Sequence, residues 1–296
     1  MQQRILRGVP ATIRASFVDQ DGSPFTVAGT VAVTVHAVSM LGADVIAAGT
    51  PATSDPGDPA GVTASLTEAQ TASLDTLAVT WTAPDREIRT SVAIVGAYFF
   101  SLEELLEFEP RLRNETRFPR SKLLTFRAQA EGAAESVIGV SFVPRARTVT
   151  MPANGFGQVV LPDQFVTNLI GVGVDGVPFT TVEMAAVVVD GDPGIISRPT
   201  GVFGGGTLGV VQQLTVTYEF GAPVLPEDLK EATMLLCRSV AFRRRSAFPD
   251  KAGQGRETGV PAGEVGVARG YDYTGIDDVN RVFGRYRDIY RAPKIQ

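Results

Sequence analysis

"TYEFGAPVLPEDLKEATMLLCRSVAF", residues 217–242, changes character in its middle, and the rest of the chain is read outward from that change. Before Gly221 the pattern has period two. Leu214, Val216, Tyr218 and Phe220 fall on one side and Gln213, Thr215, Thr217 and Glu219 on the other, as in a half-buried strand. After the prolines 223 and 226 a helix is predicted, from Pro226 to Arg245. Pro226 suits its first position, Glu227 and Asp228 its positive end, and Arg243, Arg244 and Arg245 its negative end. The centre of this helix, Ala232 to Cys237, is apolar nearly all the way round, so it needs cover on more than one side.

Toward the amino terminus, residues 1–90 read as an all-β domain. Ile13, Ala15 and Phe17, then Val31, Val33 and Val35, then Leu77, Val79 and Trp81 each alternate with polar neighbours. Turn signals at Asp21-Gly22 and across 55–61 separate the runs, which favours closure as a β-sandwich of immunoglobulin-like type. His36 falls on the polar side of its strand. A hinge is expected over 83–89. Beyond it Ser101 and Glu104 have capping-box spacing, Pro110 stops a short helix, and a second helix is predicted over 120–138. Leu123, Leu124, Phe126, Arg127, Ala130, Ala134 and Val137 would form the stripe of that second helix. Period two returns over 147–220, a β unit set between helices.

Toward the carboxyl terminus, residues 246–269 are polar and rich in Gly, a stretch that cannot build its own core and would be ordered only against other chains. Thr274 and Asp277 repeat the capping-box pattern. Val279, Val282, Phe283, Tyr286, Ile289 and Tyr290 follow at helical spacing, flanked by Arg281, Arg285 and Arg287, with only "RAPKIQ" beyond them.

Composition limits the chemistry. The 296 residues suffice for two or three compact units, and 44% apolar with 20% charged residues is ordinary for globular protein. The single Cys excludes an internal disulfide or a thiolate zinc site, and the single His removes most catalytic and metal-binding sets. The start, MQQRILRGVP, lacks the apolar core of a secretory signal, and the run over 92–100 is too short to span a bilayer, so a cytoplasmic origin and no membrane are expected. Net charge is −5, with a mild basic excess over 222–296, where thirteen basic residues face ten acidic ones.

Several motifs read as structural. Gly204 to Gly209 satisfies G-x-G-x-x-G, but a strand follows it where a phosphate loop requires a helix amino terminus. Glu103 and Glu107 share a helix face; with no His nearby, dipole complement and solvation account for them. Cys237 reads as a buried small side chain, and Asn114-Glu115-Thr116 as a chance sequon. The arginines of 243–245 and of 281–287 are interleaved with acids, which favours helix-end or intersubunit roles over contact with DNA.

The ordered words "FPRSKLLTFRAQAEGAAESVIGVSFVPRARTVTM", "VDGVPF", "LTVTYEFG", "LPEDLKEATMLLCRS" and "GIDDVNRVFGRYRDIYRAP" resemble the head-to-tail connector, or adaptor, proteins of tailed bacteriophages over residues 100–292. The resemblance implies a helical core at 91–245 with a β insertion at 147–221 and an arm at 246–296 ending in a helix, which together with the sandwich at 1–90 makes an α+β multidomain chain. It implies a virion neck protein assembled in the bacterial cytoplasm as a ring of twelve copies. The ring would dock on the portal, carry a stopper or tail terminator, and let genome DNA pass through its lumen without cofactor or catalysis.

On that reading Val279, Arg281, Val282, Phe283, Arg285, Tyr286, Arg287, Ile289 and Tyr290 are the portal-docking candidates. Met234, Leu235, Arg238, Phe242, Arg243, Arg244 and Arg245 are the candidates for contact between copies, since a ring would cover the apolar helix on a second side. The sandwich, absent from minimal members, would decorate the outside or reach the next component. Two rival readings stand beside this one. The first is a tail or fibre protein that binds through its sandwich. The second is a carboxylate-based hydrolase, which the confinement of the only Trp to the sandwich core disfavours.

Overall fold

A computed structural model describes residues 3–291 except 20, 22, 26–28, 40–43, 56–57, 59, 154, 205–211 and 243–273. Eight strands come first: β1 Gln3–Leu6, β2 Ala11–Ser16, β3 Ala32–Ala37, β4 Asp44–Pro51, β5 Thr53–Ser54, β6 Gly61–Leu66, β7 Asp75–Ala83 and β8 Arg86–Val95. Helices α1 Leu102–Phe108 and α2 Arg120–Ile138 follow. Next come β9 Arg145–Pro152, β10 Gln158–Val160, β11 Val166–Val174, β12 Val177–Pro178, α3 Thr181–Ala185, β13 Val188–Asp190, β14 Ile195–Ser197 and β15 Gln213–Phe220. Helices α4 Glu227–Phe242 and α5 Asp277–Arg291 complete the described chain. The fold is α+β in two compact units, one of residues 1–98 with 140–224 and the other of 99–139 with 225–296.

In the first unit the sheets β1-β8-β7-β3-β4 and β2-β6-β5 enclose the sandwich core expected from the alternation. Ile13, Phe17, Val33, Val35 and Trp81 are fully buried, and the Trp81 indole N–H donates to Thr90 Oγ1 at 3.1 Å, which spares a buried donor from being left unpaired. The hinge expected over 83–89 is a hairpin turn instead. Ala83 pairs with Arg86 and the ladder runs on to Asp75 and Ile94, so the sandwich extends past residue 90. The reason is that Val92 and Ile94 continue the alternation into the core and give β1 a parallel partner.

The β insertion forms two further sheets, β12-β11-β15-β9 and β10-β14-β13, over a core that includes Leu214, Val216 and Tyr218. The Tyr218 hydroxyl donates to Asp163 Oδ2 at 2.6 Å, and Arg147 Nη1 donates to the same oxygen at 3.1 Å. Burial, then the Asp163 carboxylate, pushes the Tyr218 phenol well above its ordinary value. Pro144 is clasped in this unit: the Gly96 N–H donates to its carbonyl at 2.9 Å, and a Cβ added at Gly96 or at Gly221 would lie within 2.9 Å of Pro144 carbons. The insertion therefore clusters with the sandwich strands and not with the helices that flank it in sequence, which redraws the expected boundaries.

The second unit is helical. The Ser101 and Glu104 capping box forms as expected at the start of α1. Helix α2 has the expected bounds and ends at Gly139, which takes the left-handed cap at φ 83°. Its buried residues are Leu123, Arg127, Ala130, Glu131, Ala134 and Ile138, while Leu124 is exposed; the stripe is rotated to admit a carboxylate. Helices α2, α4 and α5 pack pairwise on one another.

Candidate functional site

The candidate residues on α4 and α5 belong to the helical unit. On α4, Leu229, Ala232, Thr233, Met234, Leu236 and Cys237 are buried, with α2 and α5 of the same chain supplying the cover. The inference that a second copy must shield this helix is thereby corrected: three amphipathic stripes close one core, and Met234 belongs to it. Leu235 is half-buried, and Arg238 forms an ion pair with Glu109, its Nε 2.8 Å from Oε2. Glu109 also takes Arg111 Nε at 2.7 Å, and that guanidinium, followed by Arg238, holds its carboxyl below the ordinary range. Phe242 meets Phe118 edge to face at 5.4 Å. Arg243, Arg244 and Arg245, the arm over 246–269 and all of the G-x-G-x-x-G string except Gly204 lie outside the described residues.

Helix α5 is docked on its own unit, so two of its nine candidate residues, Val279 and Phe283, are core positions and not free anchors. Tyr286 donates to Asp228 Oδ1 at 2.7 Å, and Arg285 pairs with the same carboxylate. Val282, Arg287 and Tyr290 are half-buried, Arg281 is exposed, and Ile289 is 58% exposed. The capping box expected at Thr274 and Asp277 is not formed. The helix begins at Asp277, and Thr274 instead bonds Asn280 Oδ1 through its N–H at 3.1 Å and its hydroxyl at 2.9 Å. The outward part of α5 is thus narrower than its sequence pattern implies.

A groove of about 650 Å³ opens beside α1, a feature with no signature in the sequence. Leu102, Leu106, Leu112, Phe118 and Leu123 form its apolar lining, and Glu103, Glu107, Arg113, Glu115 and Arg120 its polar one. It arises because Pro110 ends α1 and the chain returns through a short 3₁₀ turn, Pro110–Arg113, to begin α2 after Pro119. Residues 110–122 carry five basic side chains and one acidic one. Of these, Arg120 pairs with Glu103 at 3.8 Å, whereas Arg113, Arg117 and Lys122 meet no carboxylate among the described residues.

Cys237 is fully buried, and burial followed by the Glu131 charge pushes its thiol up to about 12, far from a nucleophilic thiolate. His36 lies exposed in the other unit, bonded to Asp44 at 2.9 Å. Among the described residues no three His, Cys, Asp or Glu side chains gather as metal ligands, and no helix is long and apolar enough to cross a membrane.

No family model matches the chain, and no curated protein matches it. Among solved structures, one similar chain belongs to the neck of an empty gene transfer agent particle computed with C6 symmetry. It is 21% identical, with 49% of this chain and 80% of that one covered and a TM-score of 0.38. Another belongs to the virion of a native gene transfer agent particle, 18% identical over 49% of this chain and 81% of that one at a TM-score of 0.37.

Proposed function

We propose that this chain is a structural protein of a phage-type particle neck, a connector that assembles as a ring between portal and tail and continues the DNA channel. One observation carries the reading. Three of the five words that resemble connectors, those beginning "FPRSKLL", "LPEDLKEATMLLCRS" and "GIDDVNRVFGRYRD", overlap α2, α4 and α5, and these three helices pack into a single unit, while the other two words, "VDGVPF" and "LTVTYEFG", fall in the β insertion that parts α2 from α4. Three words far apart in sequence thus meet in one helical unit. The net charge of −5 suits a passage that must not grip a sliding polyanion.

On this reading the exposed residues of α5, Arg281 and Ile289 foremost, face the portal, and the half-buried Tyr290 borders them. The test is the mass of the purified full chain, alone and with portal rings. A closed ring, alone or on the portal, supports the connector; a trimer supports a fibre protein; a chain that remains single in both cases overturns the proposal.

A further inference from the structure

A cavity of about 360 Å³ lies within the first unit, where the sandwich meets the β insertion. The sandwich supplies the stretch after β3, the 3₁₀ turn Ala69–Thr71, the start of β7 and the end of β8; the insertion supplies Asn168 and Ile170 of β11 and Glu219 of β15. Part of the lining is apolar and rigid: Leu74, Leu77 and Ile94 are each buried in the sandwich. The wall above them is tied down as well. Gln70 Nε2 donates to the Val45 carbonyl at 2.6 Å while its Oε1 accepts the Thr67 N–H at 2.8 Å. A preformed cavity of this size, apolar on one side with a few convergent polar groups on the other, has the make-up of a small-ligand site.

The polar lining has charge of one sign only. Asp75 and Glu219 are half-buried carboxylates, and no Lys, Arg or His lines the cavity. Asp75 Oδ1 accepts the N–H groups of Ser39 at 3.1 Å and Thr76 at 2.7 Å, which fixes the carboxyl group and commits that oxygen to the backbone. Glu219 stands on the sheet between uncharged neighbours, with Asn168 opposite it on β11 and Ala146 on β9. The residues of this unit that lie outside the described ones have no charged side chain, so none of them answers the two carboxylates.

Carboxylates drawn out of water are stabilised when a cation sits with them. A bare metal ion is the poorer match. Among the described residues no third acidic, His or Cys ligand joins the pair, and an apolar wall offers such an ion nothing. An organic cation uses both halves of the lining. We propose that this cavity binds an ammonium head on an alkyl stem, with Asp75 and Glu219 holding the head, the Asn168 amide oxygen adding an acceptor, and Leu74, Leu77 and Ile94 covering the stem. The inference goes beyond the connector reading and does not depend on it. A free small amine and a lysine side chain of a neighbouring protein offer the same chemistry.

Isothermal titration calorimetry of the full chain with 1,5-diaminopentane tests the proposal, with 1-pentanol as the neutral probe of the same stem. The amine is expected to bind saturably, at about the millimolar affinity that so few atoms support, and the alcohol about tenfold more weakly. That contrast is read on the wild type and needs no variant to fold. Glu219→Gln and Asp75→Asn remove one charge each at constant shape, and Asn at 75 keeps an oxygen for the two backbone N–H groups. Each is expected to weaken the amine about tenfold, with the thermal midpoint as the check on folding. Amine binding that leaves sedimentation of the chain, alone and with portal rings, unchanged supports a free amine as the ligand; binding that breaks up those assemblies supports a neighbour's lysine. Lack of saturable binding, equal affinity for amine and alcohol, or undiminished binding by both folded variants would overturn the site while leaving the connector reading in place.

Discussion

Arg127 and Glu131, one turn apart on α2, form an ion pair inside the helical unit, with Nε and Oε1 3.9 Å apart and side chains 6% and 0% exposed. The pair also ties down the segment that enters α1. Glu131 Oε1 accepts the Phe99 N–H at 3.0 Å, and Arg127 Nη1 donates to the Phe100 carbonyl at 3.3 Å. Removing one member leaves a buried charge without its counter-charge, so Glu131→Ala is expected to cost about 3–5 kcal/mol. Replacing both with Met or Leu is expected to cost much less, because no charge then remains buried. Urea unfolding of the two variants checks the contrast.

Phe283 is fully buried on α5, whereas Ile289 on the same helix is 58% exposed. Phe283→Ala is expected to destabilise the helical unit by about 3–5 kcal/mol through lost burial and the cavity left behind. Ile289→Ser is expected to stay within about 0.5 kcal/mol of wild type. If α5 meets the portal with its open side, Ile289→Ser also weakens co-sedimentation with portal rings while its unfolding curve stays in place.

Cys237, the single thiol of the chain, is buried with its ionisation pushed up to about 12. It is expected to resist alkylation at pH 8 in the folded protein and to react at the rate of a free thiol in denaturant. Labelling against urea concentration then follows the opening of the helical unit alone. Fast labelling of the native chain would contradict the closed three-helix core.

Glu104 caps α1 and accepts Lys230 Nζ from α4 at 2.5 Å. That hydrogen bond first, then the Ser101 N–H, lowers the Glu104 pKa from 4.5. A depressed carboxylate contributes stability above its unfolded value, and that stability is lost as pH falls through the folded one. Below about pH 4.5 the wild type is therefore expected to lose part of its thermal stability that Glu104→Gln does not have to lose. Melting curves of both proteins from pH 7 to pH 3 should converge toward the acid end.

What could be read in the sequence is what local periodicity determines. The alternation through Trp81 and through Tyr218 located strands with their buried faces, and Ser101 with Glu104 located a helix start, because each signal sits within one element. Non-local choices were hidden. Glu131 looks like a solvated helix residue until Arg127 and the Phe99 amide are brought to it. The cover of α4 could not be found by inspecting α4, since its partners α2 and α5 lie on either side of it in sequence, each beyond a long intervening segment. The groove depends on the path of the chain around Pro110 and Pro119, which no local periodicity reports.

The chain crosses between its two units after Tyr98, after Gly139 and after Val224. Synthesis therefore delivers α2 long before α4 and α5, and the whole β insertion must leave the ribosome while the apolar stripe of α2 waits uncovered. The helical half can mature only after α5 has been made, so a product stalled before it would present that sticky surface to chaperones and to other nascent copies.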